Sequence, residues 1–269
     1  MKNKKNIIFL LYFLAVMAAA DIGFFHKKDI MTFGEEKKAY LAVIIDDFGY
    51  GGEGTDQMLA LDIDFTAAVM PFSERSAEDV EKIKNAGKDY IVHMPMESLT
   101  GKKSWVGDKG VFLNMTDEEI KCTVNEALEI VDGASGLNNH MGSAIMENER
   151  CLGAVFDVLA ERDMLFVDSM TTAKSLGEKL GREKGVDVLK RDVFLDSTDD
   201  INKVKENLRH AADVALKKGY AVAIGHVGPE GGKITAQALA DLKCELEEKG
   251  IEFVTVSRLR DLYEGGGNN

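Results

Sequence analysis

The sequence predicts an α/β fold built on a parallel sheet. Apolar runs of strand length, such as Leu41-Ala42-Val43-Ile44-Ile45, are continuous rather than alternating, which marks strands buried on both faces. Between these runs lie stretches whose apolar residues recur at helical spacing. About eight such β/α units follow one another over about 230 residues with no Pro- or Ser-rich break and no internal repeat, so they form one domain. Eight units can close into a barrel or stay open and doubly wound. In either case functional groups gather at the carboxyl ends of the strands.

Taken in order, strands are expected at 40–45, 65–70, 90–94, 136–140, 165–168, 193–195, 221–224 and 253–256. Helices are expected at 76–85, 149–162 and 235–249. Another opens on a capping box, Thr116 with Glu119, and carries the stripe Ile120, Val124, Leu128 and Val131. A further one is led by Ser197, repeats Ile201, Val204, Leu208, Ala212 and Ala215, and stops at Gly219.

Over 269 residues, 45% hydrophobic and 29% charged content describes a globular chain. A formal net charge of -13 with no basic stripe repels phosphate backbones and excludes nucleic acid as a partner. Nothing points to a protein partner. Cys122, Cys151 and Cys244 are too scattered for a disulfide framework or a CxxC zinc site, and Cys122 and Cys151 read as small core residues.

Residues 1–29 have the pattern of an export segment. Lys2, Lys4 and Lys5 precede an apolar run over 7–20 that ends in Ala18-Ala19-Ala20. Because Ile22, Gly23, Phe24 and Phe25 continue the apolar character, the segment is either a signal peptide or an N-terminal membrane anchor. The chain is expected outside the cytoplasm, periplasmic or at the cell envelope, with a linker at 30–39, the domain at 40–264 and a disordered tail at 265–269.

The strand ends carry the chemistry. Asp46 and Asp47 close the first apolar run. Successive strand side chains face opposite sides, so both reach one site only if the strand end twists or turns, and Gly49, Gly51 and Gly52 allow that. Other strand ends bring His93, with Glu97 beyond Pro95; Asn138, Asn139 and His140; Asp168 and Ser169; and His226. Three of the five histidines fall at such ends, whereas His26 and His210 read as ordinary. Imidazole and carboxylate together suit a divalent metal, zinc above all, and catalytic zinc takes three protein ligands and keeps one position open. Pro95 opposes a helical pairing of His93 with Glu97, so His93 is a strand-end ligand and Glu97 a ligand or a supporting group. The sequence holds no GxSxG elbow, Walker loop or HExxH helix.

On these residues the chain resembles the divergent polysaccharide deacetylases, distant relatives of the NodB-type carbohydrate esterases, over residues 40 to 260. The resemblance rests on IIDDFG (44–49), HMPME (93–97), NNHMGSA (138–144), FVDSMT (166–171), RDVFLD (191–196) and AIGHV (223–227). It implies a distorted (β/α) barrel of seven to eight parallel strands, a divalent metal at the carboxyl rim, and removal of N- or O-acetyl groups from a glycan. In that superfamily the first aspartate of the pair is the base and the second joins two histidines on the metal. Carried over, Asp46 becomes the base and Asp47 a ligand beside His93. The superfamily's HxxxH motif has Glu97 at its second position here, so His140 is taken as the other histidine. His226 matches the proton donor to the leaving group. Asn138, Asn139 and Ser169 are read as orienting or substrate-binding groups, and Asp168, Arg191 and Asp192 as a charge network beneath the metal. Trp105 either stacks on a sugar ring or packs its own loop. Two alternatives stand beside an enzyme: an exported glycan-binding protein that keeps the fold without hydrolysis, and an envelope scaffold.

Overall fold

A computed structural model describes residues 38–100, 102–228 and 232–264. The expected leader, the tail, and all but the last two residues of the expected linker lie outside them.

Nine parallel strands are present among the described residues: β1 (Ala39–Phe48), β2 (Thr66–Val69), β3 (Asp89–Met96), β4 (Gly136–Met141), β5 (Leu165–Asp168), β6 (Val188–Lys190), β7 (Val193–Phe194), β8 (Tyr220–His226) and β9 (Ile251–Val254). Their order is β6-β5-β4-β3-β2-β1-β8-β7. β6 and β7 are separated by only two residues, and the extended segment 188–194 pairs first with β5 and then with β8. Arg191 N–H still bonds the Asp168 carbonyl, while the next N–H, from Asp192, bonds Val222. One segment thus hands its pairing across the seam, and seven strands curl into a distorted barrel. β9 lies outside the ring, beside the first half of β1 on the edge whose second half pairs with β2.

The eight expected strands all occur, with changes at their ends. β3 runs on through Pro95: its carbonyl accepts the Val111 N–H, and the missing N–H faces that same edge, where it breaks no ladder bond. The last strand ends at Val254 because Val256–Glu264 forms a helix that was not expected. β6 is missed because three half-exposed residues carry no apolar run. Helix Ser76–Asn85 and the capping box of Asp117–Ile130 are as expected. Asp200, not Ser197, caps Ile201–Lys218, its carboxylate accepting the Asn202 N–H. Cys151 is buried, whereas Cys122 is exposed, against the expectation of a core residue.

Side-chain parity separates two apolar layers. Leu41, Val43 and Ile45 of β1 pack outward under the helices in the large core. The alternate residues Ala42 and Ile44 join Ala68, Ile91, Leu165, Val167, Val222, Ile224 and Val254 in a small cluster of strand residues, which is the barrel interior. Val256 and Leu259 of the last helix plug it from the amino end. Followed toward the carboxyl ends, the interior parity reaches Asp46, His93, Asn138, His140, Ser169 and His226. The interior turns from apolar to polar in its last layer.

Candidate metal centre and active site

Asp46 continues the interior parity of β1 and is buried; its Oδ1 accepts from Asn138 Nδ2 at 2.8 Å. Asp47 has the opposite parity and would point outward in a regular strand. It does not, because β1 takes three steps from Ile45 to Phe48 where β2 takes two from Ala67 to Val69. That extra residue is a β-bulge, and Asp47 adopts φ 67° within it. The bulge is the turn that the two adjacent aspartates require.

Three atoms meet at the centre. His93 Nε2 lies 3.1 Å from His140 Nδ1, and Asp47 Oδ1 lies 3.5 Å from each. The outer nitrogens fix which form of each ring faces inward. Asn138 must turn its Nδ2 to the Asp46 carboxylate, so its Oδ1 accepts from His93 Nδ1 at 2.8 Å, leaving a lone pair on Nε2. His140 Nε2 donates to the Trp105 carbonyl at 3.2 Å, leaving a lone pair on Nδ1. Asp47 Oδ1 is buried and has no hydrogen-bond partner among the described residues. In the neutral rings two lone pairs then face a carboxylate oxygen that has no hydrogen-bond partner among the described residues, an arrangement that a cation, in place of a ring proton, satisfies. Four ligands in a tetrahedron at bonds of about 2.0–2.1 Å stand about 3.3–3.4 Å apart, close to the observed triangle. The residues therefore fit a divalent metal, and no other group of three or more metal-competent side chains occurs among the described residues.

The same crowding sets the charges. Burial alone would raise the Asp47 carboxyl, but the imidazoles of His140 and His93 hold it well below the usual carboxylate range. Burial alone would lower His93; the charges of Asp46 and Asp47 carry it above its ordinary value instead.

His226 faces Asp46 across the β1–β8 ladder. Its Nδ1 donates to Asp196 Oδ1 at 2.8 Å and its backbone N–H to Asp196 Oδ2 at 2.6 Å; Thr235 Oγ1 donates to that second oxygen at 2.7 Å. A Cβ at Gly225 would stand 2.9 Å from Thr235 Cγ2 and 3.0 Å from Asp196 Oδ2, so glycine is what lets this clamp close. Burial would lower the His226 pKa, but Asp196, reinforced by Asp46 and Asp47, raises it to about 9. The ring is therefore protonated at neutral pH, with Nε2 as a donor that no other described residue engages. Asp196 and Thr235 were missed in the sequence. Asp196 had a signal, since it directly follows the strand expected at 193–195.

The remaining expected site residues divide by parity. Ser169 is buried on the interior side with its Oγ unpartnered among the described residues, while its carbonyl accepts from Arg191 Nε at 2.7 Å. Arg191 also lies over the Phe194 ring, which packs on His226. Burial pulls the Arg191 pKa below its ordinary value against the pull of Asp168 and Asp46. Asn139 and Asp168 point away from the centre. Asn139 bonds the Ser169 N–H and the Met141 carbonyl, and Asp168 bonds Ser175 and the Met170 N–H; both hold the loops that follow the strands. Burial lifts the Asp168 carboxyl above its usual range despite those bonds. Glu97 is not at the centre, because its Oε2 accepts the Leu113 N–H at 2.8 Å. Asp192 is not beneath the metal either. It pairs with Lys218 and the Val222 N–H in the amino half of β8. Trp105 is 58% exposed, and its carbonyl is what holds His140.

Comparison with known proteins agrees with the fold. A profile of the divergent polysaccharide deacetylases matches residues 43–260. An uncharacterized protein of Haemophilus influenzae is 32% identical over 211 residues, covering 78% of this chain and 75% of that one. The uncharacterized protein YibQ of Escherichia coli is 32% identical over 202 residues, covering 75% of this chain but only 63% of its own length. Among solved structures, protein ATU2773 of Agrobacterium tumefaciens superposes with a TM-score of 0.75 at 17% identity, over 82% of this chain and 89% of that one. That last likeness is one of fold. The family match, covering most of the barrel and every residue of the centre, places this chain among the divergent polysaccharide deacetylases.

Proposed function

We propose that this protein is a metal-dependent hydrolase that removes acetyl groups from a polysaccharide outside the cytoplasm. The observation that carries the reading is the triangle of Asp47, His93 and His140, flanked by a buried carboxylate, Asp46, and a protonated imidazole, His226. Two imidazoles and one carboxylate suit zinc. A cation held there supplies Lewis acidity to the acetyl carbonyl and acidifies a water.

The chain's own groups do the rest. Asp46 takes a proton from the attacking water at Oδ2, since Oδ1 is held by Asn138. The water oxygen bonds to the acetyl carbon and the C–N or C–O bond to the sugar breaks. His226 gives its Nε2 proton to the departing nitrogen or oxygen, while Asp196 keeps Nδ1–H and stabilises the ring's orientation. Acetate and the free sugar amine or hydroxyl are the products. Trp105, exposed beside the centre, offers an indole face to a sugar ring. The leader pattern at 1–29 supports a site of action outside the cytoplasm.

The test is acetate release from N-acetylated and O-acetylated polysaccharides by the zinc-loaded protein, wild type beside Asp46→Asn. The proposal expects turnover that falls at least a hundredfold in the variant while bound zinc is retained. Equal rates in the two would leave a glycan-binding role in its place.

A further inference from the structure

Asp47 serves the centre only because it sits in a left-handed bulge, a conformation that an L-residue keeps only where its surroundings impose it. Upstream the chain is fixed by pairing with β8 as far as Asp46. Downstream the restraint comes from another element. Gly49 and Gly51 both donate their N–H to Asp79 Oδ2, at 2.7 and 3.0 Å, and Asp79 lies on helix Ser76–Asn85, fully buried. The helix grips the loop from its other side as well, because Arg75 N–H bonds the Gly49 carbonyl at 3.1 Å. Phe48 carbonyl accepts the Met70 N–H at 2.7 Å, and a Cβ at Gly49 would meet the Met70 carbonyl at 2.8 Å, so the loop has no room to relax toward β2. The charged acceptor makes both N–H bonds strong.

We propose that Asp79 is a positioning residue for metal binding, which holds the DDFGYGG turn so that Asp47 Oδ1 faces His93 and His140. The inference rests on the metal-centre reading above. It adds a residue on a different element, with no contact to the centre, whose carboxylate sets the ligand triangle through two backbone amides.

The test is zinc and cobalt affinity of the full-length protein, wild type beside Asp79→Ala and Asp79→Asn, with Asp89→Ala as a comparison that disturbs only the amino end of the barrel. Asp79→Ala is expected to raise the metal Kd about tenfold or more and to alter the visible absorption of bound cobalt. Asp79→Asn, whose carbonyl can accept both N–H groups, is expected to restore affinity to within about threefold. Asp89→Ala is expected to lower the melting temperature and leave the Kd unchanged. An Asp79→Ala protein that binds metal as wild type does would overturn the inference while leaving the metal centre intact. No metal bound by wild type would sink both readings. Should the alanine variant fail to fold, amide exchange in the wild type decides: linkage requires metal binding to slow exchange at Gly49 and Gly51, and unchanged rates there contradict the proposal.

Discussion

Two carboxylates of one barrel, Asp89 at its amino end and Asp47 at its carboxyl end, are treated in opposite ways. Asp89 Oδ2 collects the hydroxyls of Thr66, Ser135 and Ser257, at 3.3, 3.3 and 3.0 Å, and ties β2, β3 and the last helix together. Asp47 Oδ1 is buried with no hydrogen-bond partner among the described residues, facing two ring nitrogens 3.5 Å away. The first end is finished by the chain itself, with Val256 and Leu259 filling the interior beneath it. The second is finished only by something the chain does not supply. The same strands serve both ends, and the inward-facing residues turn from apolar to polar at the carboxyl ends of β1, β3, β5 and β8, while β4 adds both Asn138 and His140. Structure and function thus occupy successive layers of one interior.

That contrast can be broken at several points. Asn138→Leu removes the amide that selects the His93 ring form and leaves Asp46 Oδ1 without its hydrogen bond; metal affinity is expected to fall about 10- to 100-fold by titration. Asp196→Asn removes the charge that keeps His226 protonated. Its kcat is expected to drop about tenfold or more, and the alkaline limb of kcat/KM should move toward lower pH. In the wild type that limb is expected to follow the loss of the His226 proton, so activity should fall as pH rises toward about 9, and the charge of a bound cation would move the limb lower. The same raised pKa adds stability that is fully present below the ordinary value of 6.5 and is lost as pH rises through about 9, which a melting series resolves.

At the other end, Asp89→Ala removes the shared acceptor of three hydroxyls and is expected to cost about 1–3 kcal/mol in denaturant unfolding, with metal content unchanged. Asp192→Asn keeps an acceptor for the Val222 N–H and loses only the ion pair with Lys218. A change of about 0.2–1 kcal/mol is expected there, and none in metal affinity.

Much of this was legible in the residues, and the limits are physical. Continuous apolar runs located eight of the nine strands, and their polar ends located Asp46, His93, His140 and His226. The period-2 rule, extended past each apolar run, would also have parted Asn138 from Asn139 and Ser169 from Asp168. Asn138 and Asn139 were read alike, although only Asn138 faces inward; of the other two, Ser169 faces inward and Asp168 does not. Glu97 drew attention through its spacing from His93, but β3 continues through Pro95 and carries Glu97 beyond the rim. Asp196 was overlooked in favour of Arg191 and Asp192 because the short strands β6 and β7 hide where the segment crosses from β5 to β8. The anchoring of the bulge by Asp79 had no local signal, since the partners lie 28 and 30 positions apart and meet only when the helix packs on the loop.

The central claim is that three acceptors converge because a divalent cation belongs between them. Elemental analysis of protein purified without chelator, wild type beside His93→Ala and His140→Ala, tests it most directly. The account predicts about one zinc-class ion per chain in the wild type and a loss in both variants. A wild type that stays free of metal after incubation with zinc, cobalt or nickel, or variants that bind it equally well, would contradict the account.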